Sequence, residues 1–134
     1  MTENEIAKTI VDAAFLVHTR LGPGLLESVY EVVLGYELTK RGLYVVHQRP
    51  MPVIYEEVRM KIGFRPDLIV EGKVIVEVKS LEILAPVHKK QLLTYLRLAD
   101  KRLGLLINFG GALIKDGIRR EWLTTWKNDD ESCS

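Results

Sequence analysis

The sequence predicts an α/β sandwich in which a mixed sheet is covered by helices, and three observations lead there. Two stretches at the start carry apolar residues at helical spacing, short β-branched runs come from the middle of the chain, and one more helical stretch separates the last two of those runs. The expected order is helix, helix, three strands, helix, strand. A chain of 134 residues with 47% hydrophobic and 28% charged residues fits one globular domain, expected over residues 1–126. The polar residues Lys127 to Ser134 are expected to form a mobile tail.

From Glu5 to about Arg20, the residues Ile6, Ile10, Ala13, Ala14, Val17 and Leu21 recur every three or four positions and describe an amphipathic helix, which Gly22-Pro23-Gly24 stops. A second helix is expected from about Leu25 to Lys40. Its buried side would carry Leu26, Val29, Tyr30, Val33, Leu34 and Leu38, and Gly42 would cap it. Tyr44 to Val58 is rich in β-branched and aromatic residues but broken by Pro50 and Pro52, so it reads as an interrupted edge strand and the start of another. Pro66 to Val70 and Val74 to Val78 form the clearest hairpin, with Glu71-Gly72-Lys73 at its turn. After a linker from Ser80 to Ala85, Pro86 opens a helix that continues through Leu92, Leu93, Tyr95 and Leu96. Leu103 to Phe109 is the last full strand, closed by Gly110-Gly111, and Ile118 to Trp122 reads as a short strand or turn.

No apolar run approaches the ~18 residues of a membrane span, and the acidic, amphipathic N-terminus does not resemble a secretory signal. One cysteine, Cys133, excludes an internal disulfide framework and a multi-cysteine metal site. These features lead us to expect a cytoplasmic protein without membrane partners. The net charge of +1 does not decide for or against a nucleic-acid partner, since the local field is what attracts phosphate. Basic residues gather at Lys40-Arg41, at Lys89-Lys90 with Arg97, at Lys101-Arg102 and at Arg119-Arg120; each pair taken singly reads as an ordinary solvated surface rather than a binding stripe.

The segment Gly63 to Lys79, GFRPDLIVEGKVIVEVK, sets charges into sequence that otherwise favours burial. A buried charge is costly unless a partner or a metal compensates it. Alternation puts Glu77 and Lys79 on one face with Ile75, and Val74, Val76 and Val78 on the other. A two-residue turn would pair Asp67 with Val76 and send the two acids to opposite faces. A three-residue turn with Gly72 in the left-handed region and a bulge is expected instead, with Asp67 across from Ile75 and diagonal to Glu77.

Two carboxylates converging beside a backbone carbonyl suit a hard cation, Mg²⁺ or Mn²⁺. Asp67 and Glu77 are the candidate direct ligands and the Val78 carbonyl a third. Lys79 would orient a nucleophile, stabilise extra negative charge or accept a proton, and the sequence leaves these alternatives open. An exposed polar strand face is the plain structural alternative. On the second helix, Glu27 and Glu31 stand four residues apart, a like-charge pair that a metal or a basic neighbour would compensate and that the helix N-terminus partly offsets. On the later helix His88, Gln91 and Tyr95 share a face, while Lys90, Thr94 and Arg97 share another. Gln91 could hold a water or a phosphate oxygen and Tyr95 could donate to the carboxylates; a buried, satisfied tyrosine beside a surface glutamine is the alternative.

Gly24-Leu25-Leu26-Glu27-Ser28-Val29-Tyr30 resembles the pattern for which the GxxExxY proteins are named, and RPDLIVEGKVIVEVK, APVHKKQLLTYL and LGLLINFG also resemble that family, together spanning about Val17 to Arg120. The family is placed in the PD-(D/E)XK nuclease superfamily. The resemblance implies a restriction-endonuclease-like core with a mostly antiparallel sheet flanked by helices. It further implies that Asp67 and Glu77 are the metal carboxylates, Lys79 the catalytic lysine and Glu27 an additional helix-borne acid. Gln91 and Tyr95 are similar to the Gln-x-x-x-Tyr motif of one nuclease branch. The activity implied is that of an Mg²⁺- or Mn²⁺-dependent phosphodiesterase acting on nucleic acid, DNA before RNA, with Lys89, Lys90 and Arg97 on the substrate backbone. Some relatives work as dimers, so a homodimer is compatible with the chain. The alternatives are a non-catalytic nucleic-acid- or partner-binding module on the same fold and a hydrolase of a small phosphorylated substrate.

Overall fold

The computed structural model describes residues 1–123; the tail expected at 127–134, and Cys133 within it, lie outside the described residues. Helix α1 (Glu3–Leu21) starts at a capping box, in which the Thr2 hydroxyl accepts from the Glu5 amide and the Glu5 carboxylate from the Thr2 amide. Helix α2 (Glu27–Lys40) follows. Five strands come next: β1 (Val45–His47), β2 (Met51–Tyr55), β3 (Val58–Phe64), β4 (Leu68–Val70) and β5 (Val74–Lys79). Helix α3 (Pro86–Ala99), β6 (Leu103–Asn108), a 3₁₀ turn (Ile114–Gly117) and β7 (Ile118–Trp122) complete the described chain.

The main sheet has the order β1-β4-β5-β6-β7. Only β5 and β6 run parallel, with α3 as the crossover that a parallel pair requires, and every other pairing is antiparallel. Residue alternation divides the core. Val74, Val76 and Val78 of β5 with Leu103, Leu105 and Ile107 of β6 face α1 and α2, where Ile6, Ile10, Tyr30, Leu34 and Leu38 close over them. On the other face Ile69, Ile75 and Leu106 meet Leu92 and Leu96 of α3. Glu77 and Lys79 share the parity of Ile75, so the charged residues of β5 emerge on the α3 side.

The mixed, mostly antiparallel sheet flanked by helices is the fold class expected, but the strand count differs: five strands rather than three precede α3, and a sixth is followed by β7. The difference arises in residues 45–64; over Tyr44 to Val58 the sequence predicts an interrupted edge strand and the start of another. That stretch yields the edge strand β1 and a separate hairpin of β2 and β3, which pair with each other in a second, two-stranded sheet. The buried side of α2 is also narrower than expected. Tyr30, Leu34 and Leu38 are fully buried, whereas Leu26 is 73% exposed and Val29 37% exposed. Leu26 is the residue before the first helical turn, and Val29 lies off the Tyr30-Leu34-Leu38 stripe.

Candidate active site

The β4–β5 turn decides where the charges meet. Glu71 and Gly72 both adopt positive φ, 54° and 65°, and the Lys73 amide donates to the Val70 carbonyl at 3.0 Å. Lys73 is then an extra residue, so Val70 pairs with Val74, Ile69 with Ile75 and Leu68 with Val76. The three-residue loop, the left-handed Gly72 and the shared face of the two acids are as expected. The partner is not: the register continued by one residue sets Asp67 level with Glu77 rather than across from Ile75, because Lys73 occupies the third loop position.

Side by side, the two acids are tied through the backbone. The Asp67 amide donates to Glu77 Oε2 at 2.7 Å, and the Val78 amide donates to Asp67 Oδ2 at 2.8 Å. Proline explains why a side chain takes that amide. The next ladder position opposite Val78 falls to Pro66, which has no N–H to return, so the strand pairing ends and the Asp67 carboxylate substitutes for it. The Phe109 amide donates to the Lys79 carbonyl at 2.8 Å, so Lys79 turns its backbone toward β6 and Val78 turns its own toward β4. The Val78 carbonyl therefore turns toward the end of β4, where Pro66 offers it no strand donor.

Glu77 is 4% exposed. Burial, then the neighbouring charge of Asp67, pushes its carboxyl up to about 8, with the Asp67 amide and Lys79 opposing the rise and Glu31 adding to it. Burial and the charges of Glu77 and Asp67 also raise the Tyr95 hydroxyl, which places Tyr95 within the field of the pair. The Tyr95 ring lies 4.7 Å from that of Phe64 at the end of β3.

A second group of residues reaches the site from α2 and the end of β1. Glu31 is 9% exposed, and its carboxylate takes a hydrogen bond from Gln48 Nε2 at 2.6 Å and lies 3.2 Å from His47 Nδ1. The same Gln48 nitrogen donates to Asp67 Oδ1 at 2.9 Å, and the Gln48 amide donates to the Asp67 carbonyl at 3.0 Å. Gln48 holds this bridge with φ at 50°, a conformation rare for residues other than glycine. Gly35 is what lets His47 approach α2, since a Cβ there would stand 2.4 Å from the imidazole.

The other expected site residues are distributed more widely. Glu27 is exposed on the first turn of α2, and with Ser28, Ser80, Leu81, Glu82 and Gly110 it borders an open groove of about 840 Å³ that begins where β5 ends. Neither Asp67 nor Glu77 lines that groove. Lys79 is half-buried. Gln91 is exposed on α3 and makes no side-chain hydrogen bond among the described residues, and Lys90 and Arg97 are exposed on the same helix. Lys89 lies 3.8 Å from Glu121 of β7. His88 accepts the Ala85 amide at 3.1 Å and closes the N-terminus of α3. Sequence reasoning misses His47 and Gln48 altogether, and treats Glu31 only as the companion of Glu27. A like-charge pair on α2 is the one signal for Glu31; a lone Gln after a short strand gives none.

A family model described as the PD-(D/E)XK nuclease superfamily matches residues 4–121. The chain belongs to the PD-(D/E)XK nuclease superfamily. No curated protein matches the chain. No solved structure matches it either. Pro66-Asp67 and Glu77-Val78-Lys79 are the stretches of this sequence that fit the pattern for which the superfamily is named. Nucleases of this superfamily generally use divalent metals. Among the described residues no group of three or more His, Cys, Asp and Glu is arranged to hold a metal, and no helix is long and apolar enough to cross a membrane.

Proposed function

We propose that this chain is a divalent-metal-dependent nuclease that hydrolyses phosphodiester bonds of nucleic acid, DNA in preference to RNA. The observation that carries the reading is the side-by-side placement of Asp67 and Glu77 by the β4–β5 register, with Lys79 one alternation further on the same face. The donor set fits Mg²⁺ or Mn²⁺: two carboxylates and the free Val78 carbonyl are hard oxygen ligands, and Mg²⁺ takes one or two carboxylates while keeping several waters. A buried carboxyl held near 8 beside a second acid is also a site that gains from a cation.

Asp67 and Glu77 would hold the ion with the Val78 carbonyl. Once bound, it supplies Lewis-acid stabilisation of phosphoryl oxygen and lowers the pKa of attached water. The chain's own residues do the rest. Gln48 fixes Asp67 through Oδ1 while the Val78 amide fixes Oδ2, so this acid is oriented before any ligand arrives. Lys79 acts electrostatically on Glu77, and its ammonium would stabilise negative charge developing on the phosphate. Tyr95 keeps its proton to higher pH than usual, and its hydroxyl, within the field of both carboxylates, would be free to donate to a ligand bound there. On α2, Glu31 acts electrostatically on Glu77, so we assign it, rather than the exposed Glu27, the place of the helix-borne acid. Lys90 and Arg97 on α3 are the helix cations for the substrate backbone; Lys89 shares its charge with Glu121.

The test incubates purified protein with labelled single-stranded, double-stranded and branched DNA and with RNA, in Mg²⁺, Mn²⁺ or EDTA, beside a folded Asp67→Ala, Glu77→Ala double variant. Cleavage that requires metal and disappears in the double variant is expected. Absence of cleavage on every substrate by a folded wild-type protein would refute the reading and leave a non-catalytic module.

A further inference from the structure

Strands β2 and β3 form an arm that the main sheet does not include. They pair from Met51–Phe64 at the root to Tyr55–Val58 at the tip and belong to no other sheet. The root is anchored, with Phe64 8% exposed against Tyr95 and Met51 packed beside the Ile69-Leu92 cluster. Beyond it, residues 58–63 of β3 and Ile54 and Tyr55 of β2 are all exposed. A lone two-stranded ribbon is marginal in water, and its open edges invite unwanted pairing. Stability therefore does not account for this arm.

Its charge does. Arg59 and Lys61 share one face of β3, opposite Val58 and Met60, while Arg49 precedes the arm and Arg65 follows it. Against these four cations the arm carries two carboxylates, Glu56 and Glu57, both in the tip turn. None of the four cations joins a hydrogen bond or ion pair among the described residues, whereas Arg20, Lys40 and Arg41 all converge on Glu37. The arm also leads straight into the site, because Arg65 stands two residues before Asp67. Extended chain covers about 3.3 Å per residue, so the chain from Asp67 back to Lys61 and Arg59 can reach at most about 20 and about 26 Å. One nucleic-acid strand rises about 3.4 Å per nucleotide, so that reach corresponds to no more than about six to eight nucleotides.

We infer that the β2–β3 arm is a nucleic-acid grip, its unpaired Arg59 and Lys61 neutralising backbone phosphates within about eight nucleotides to one side of the bond at the carboxylates. The inference rests on the proposed nuclease reading and adds where the substrate lies. The arm supplies affinity without reading sequence, since contacts to phosphate position a duplex or strand and do not discriminate bases. Its opposite face, with Val53 across from Met60 and Tyr55 across from Val58, is the surface a second copy of the chain would use instead.

The experiment measures binding of fluorescent DNA in EDTA, so that no bond is cut, between 50 and 300 mM KCl. An Arg59→Ala, Lys61→Ala protein is compared with wild type and with a charge-matched Lys8→Ala, Lys115→Ala control, and each protein's mass in solution is recorded. Losing two phosphate contacts lowers the slope of log K against log salt by about 1.8, equivalent to about thirtyfold weaker binding at 0.15 M salt. The control should keep the wild-type slope, and the footprint on end-labelled DNA should shorten on one side only. Wild-type binding or cleavage with an unchanged slope in the arm variant overturns the arm and leaves the nuclease reading standing. A change in mass without a change in slope also overturns it, in favour of self-association. A wild-type protein that neither binds nor cuts any nucleic acid overturns both.

Discussion

Replacing Glu77 by glutamine is expected to make the metal-free protein more stable above pH 5 while abolishing its proposed chemistry. The carboxyl sits at 4.5 in an ordinary setting and at about 8 in the fold, raised by burial and by Asp67. For an acid shifted upward, the folded state keeps a proton that the unfolded state has released. Stability is therefore full below about pH 4.5 and falls by about 1.4 kcal/mol per pH unit until the folded group also ionises near pH 8. The accumulated loss is about 3 kcal/mol at pH 7, equivalent to about 10 °C in Tm for a domain of this size. Glutamine keeps an oxygen for the Asp67 amide, which now donates to Glu77 Oε2 at 2.7 Å, and carries no charge to desolvate. Urea unfolding of both proteins in EDTA from about pH 4.5 to about pH 8.5 reads the contribution of Glu77 together with its coupling to Asp67. The gap between them should widen by about 3 kcal/mol between pH 4.5 and 7. Parallel curves would refute the account of Glu77 as a carboxyl penalised by burial.

Metal should reverse that penalty: at a hundred times its Kd, Mg²⁺ or Mn²⁺ is expected to stabilise the wild type by about 2.7 kcal/mol in thermal unfolding at pH 7.5 and to leave the Asp67→Ala, Glu77→Ala protein unmoved. Gly35→Ala places a Cβ 2.4 Å from the His47 ring, so a loss of about 1–3 kcal/mol is expected by chemical denaturation. Gln48→Ala removes the amide shared by Glu31 and Asp67, and about 1–3 kcal/mol of stability should go with it. If Gln48 positions Asp67, the same variant should also weaken Mg²⁺ binding measured by calorimetry, which simple loss of packing would not do.

Much of this fold is legible because its helices and inner strands repeat apolar residues at the spacing their geometry requires. Ile6, Ile10, Ala13 and Val17 mark α1, and the alternation from Val74 to Lys79 is enough to put Glu77 and Lys79 on the face away from the valines. The arm is not legible because its turn runs through Glu56 at φ 52°, without the Gly or Asn that normally announces a left-handed position. The site divides along the same line. Glu77 and Lys79 share a face by parity alone, and Asp67 joins that face through the length of the β4–β5 turn. Glu31, His47 and Gln48 reach the same place from α2 and the end of β1, and only tertiary packing tells Glu31, 9% exposed, from Glu27, one turn earlier and open to solvent.

Pro66 matters for the one bond it cannot make. Opposite Val78 it ends the β4–β5 ladder, and the amide and carbonyl that another residue would have paired are left to Asp67 and to the proposed cation. A residue with an N–H at this position would extend the sheet and claim the carbonyl. Cohesion and reactivity are thus opposed at a single residue, so lineages adapting to heat meet a constraint here that the rest of the sheet does not impose.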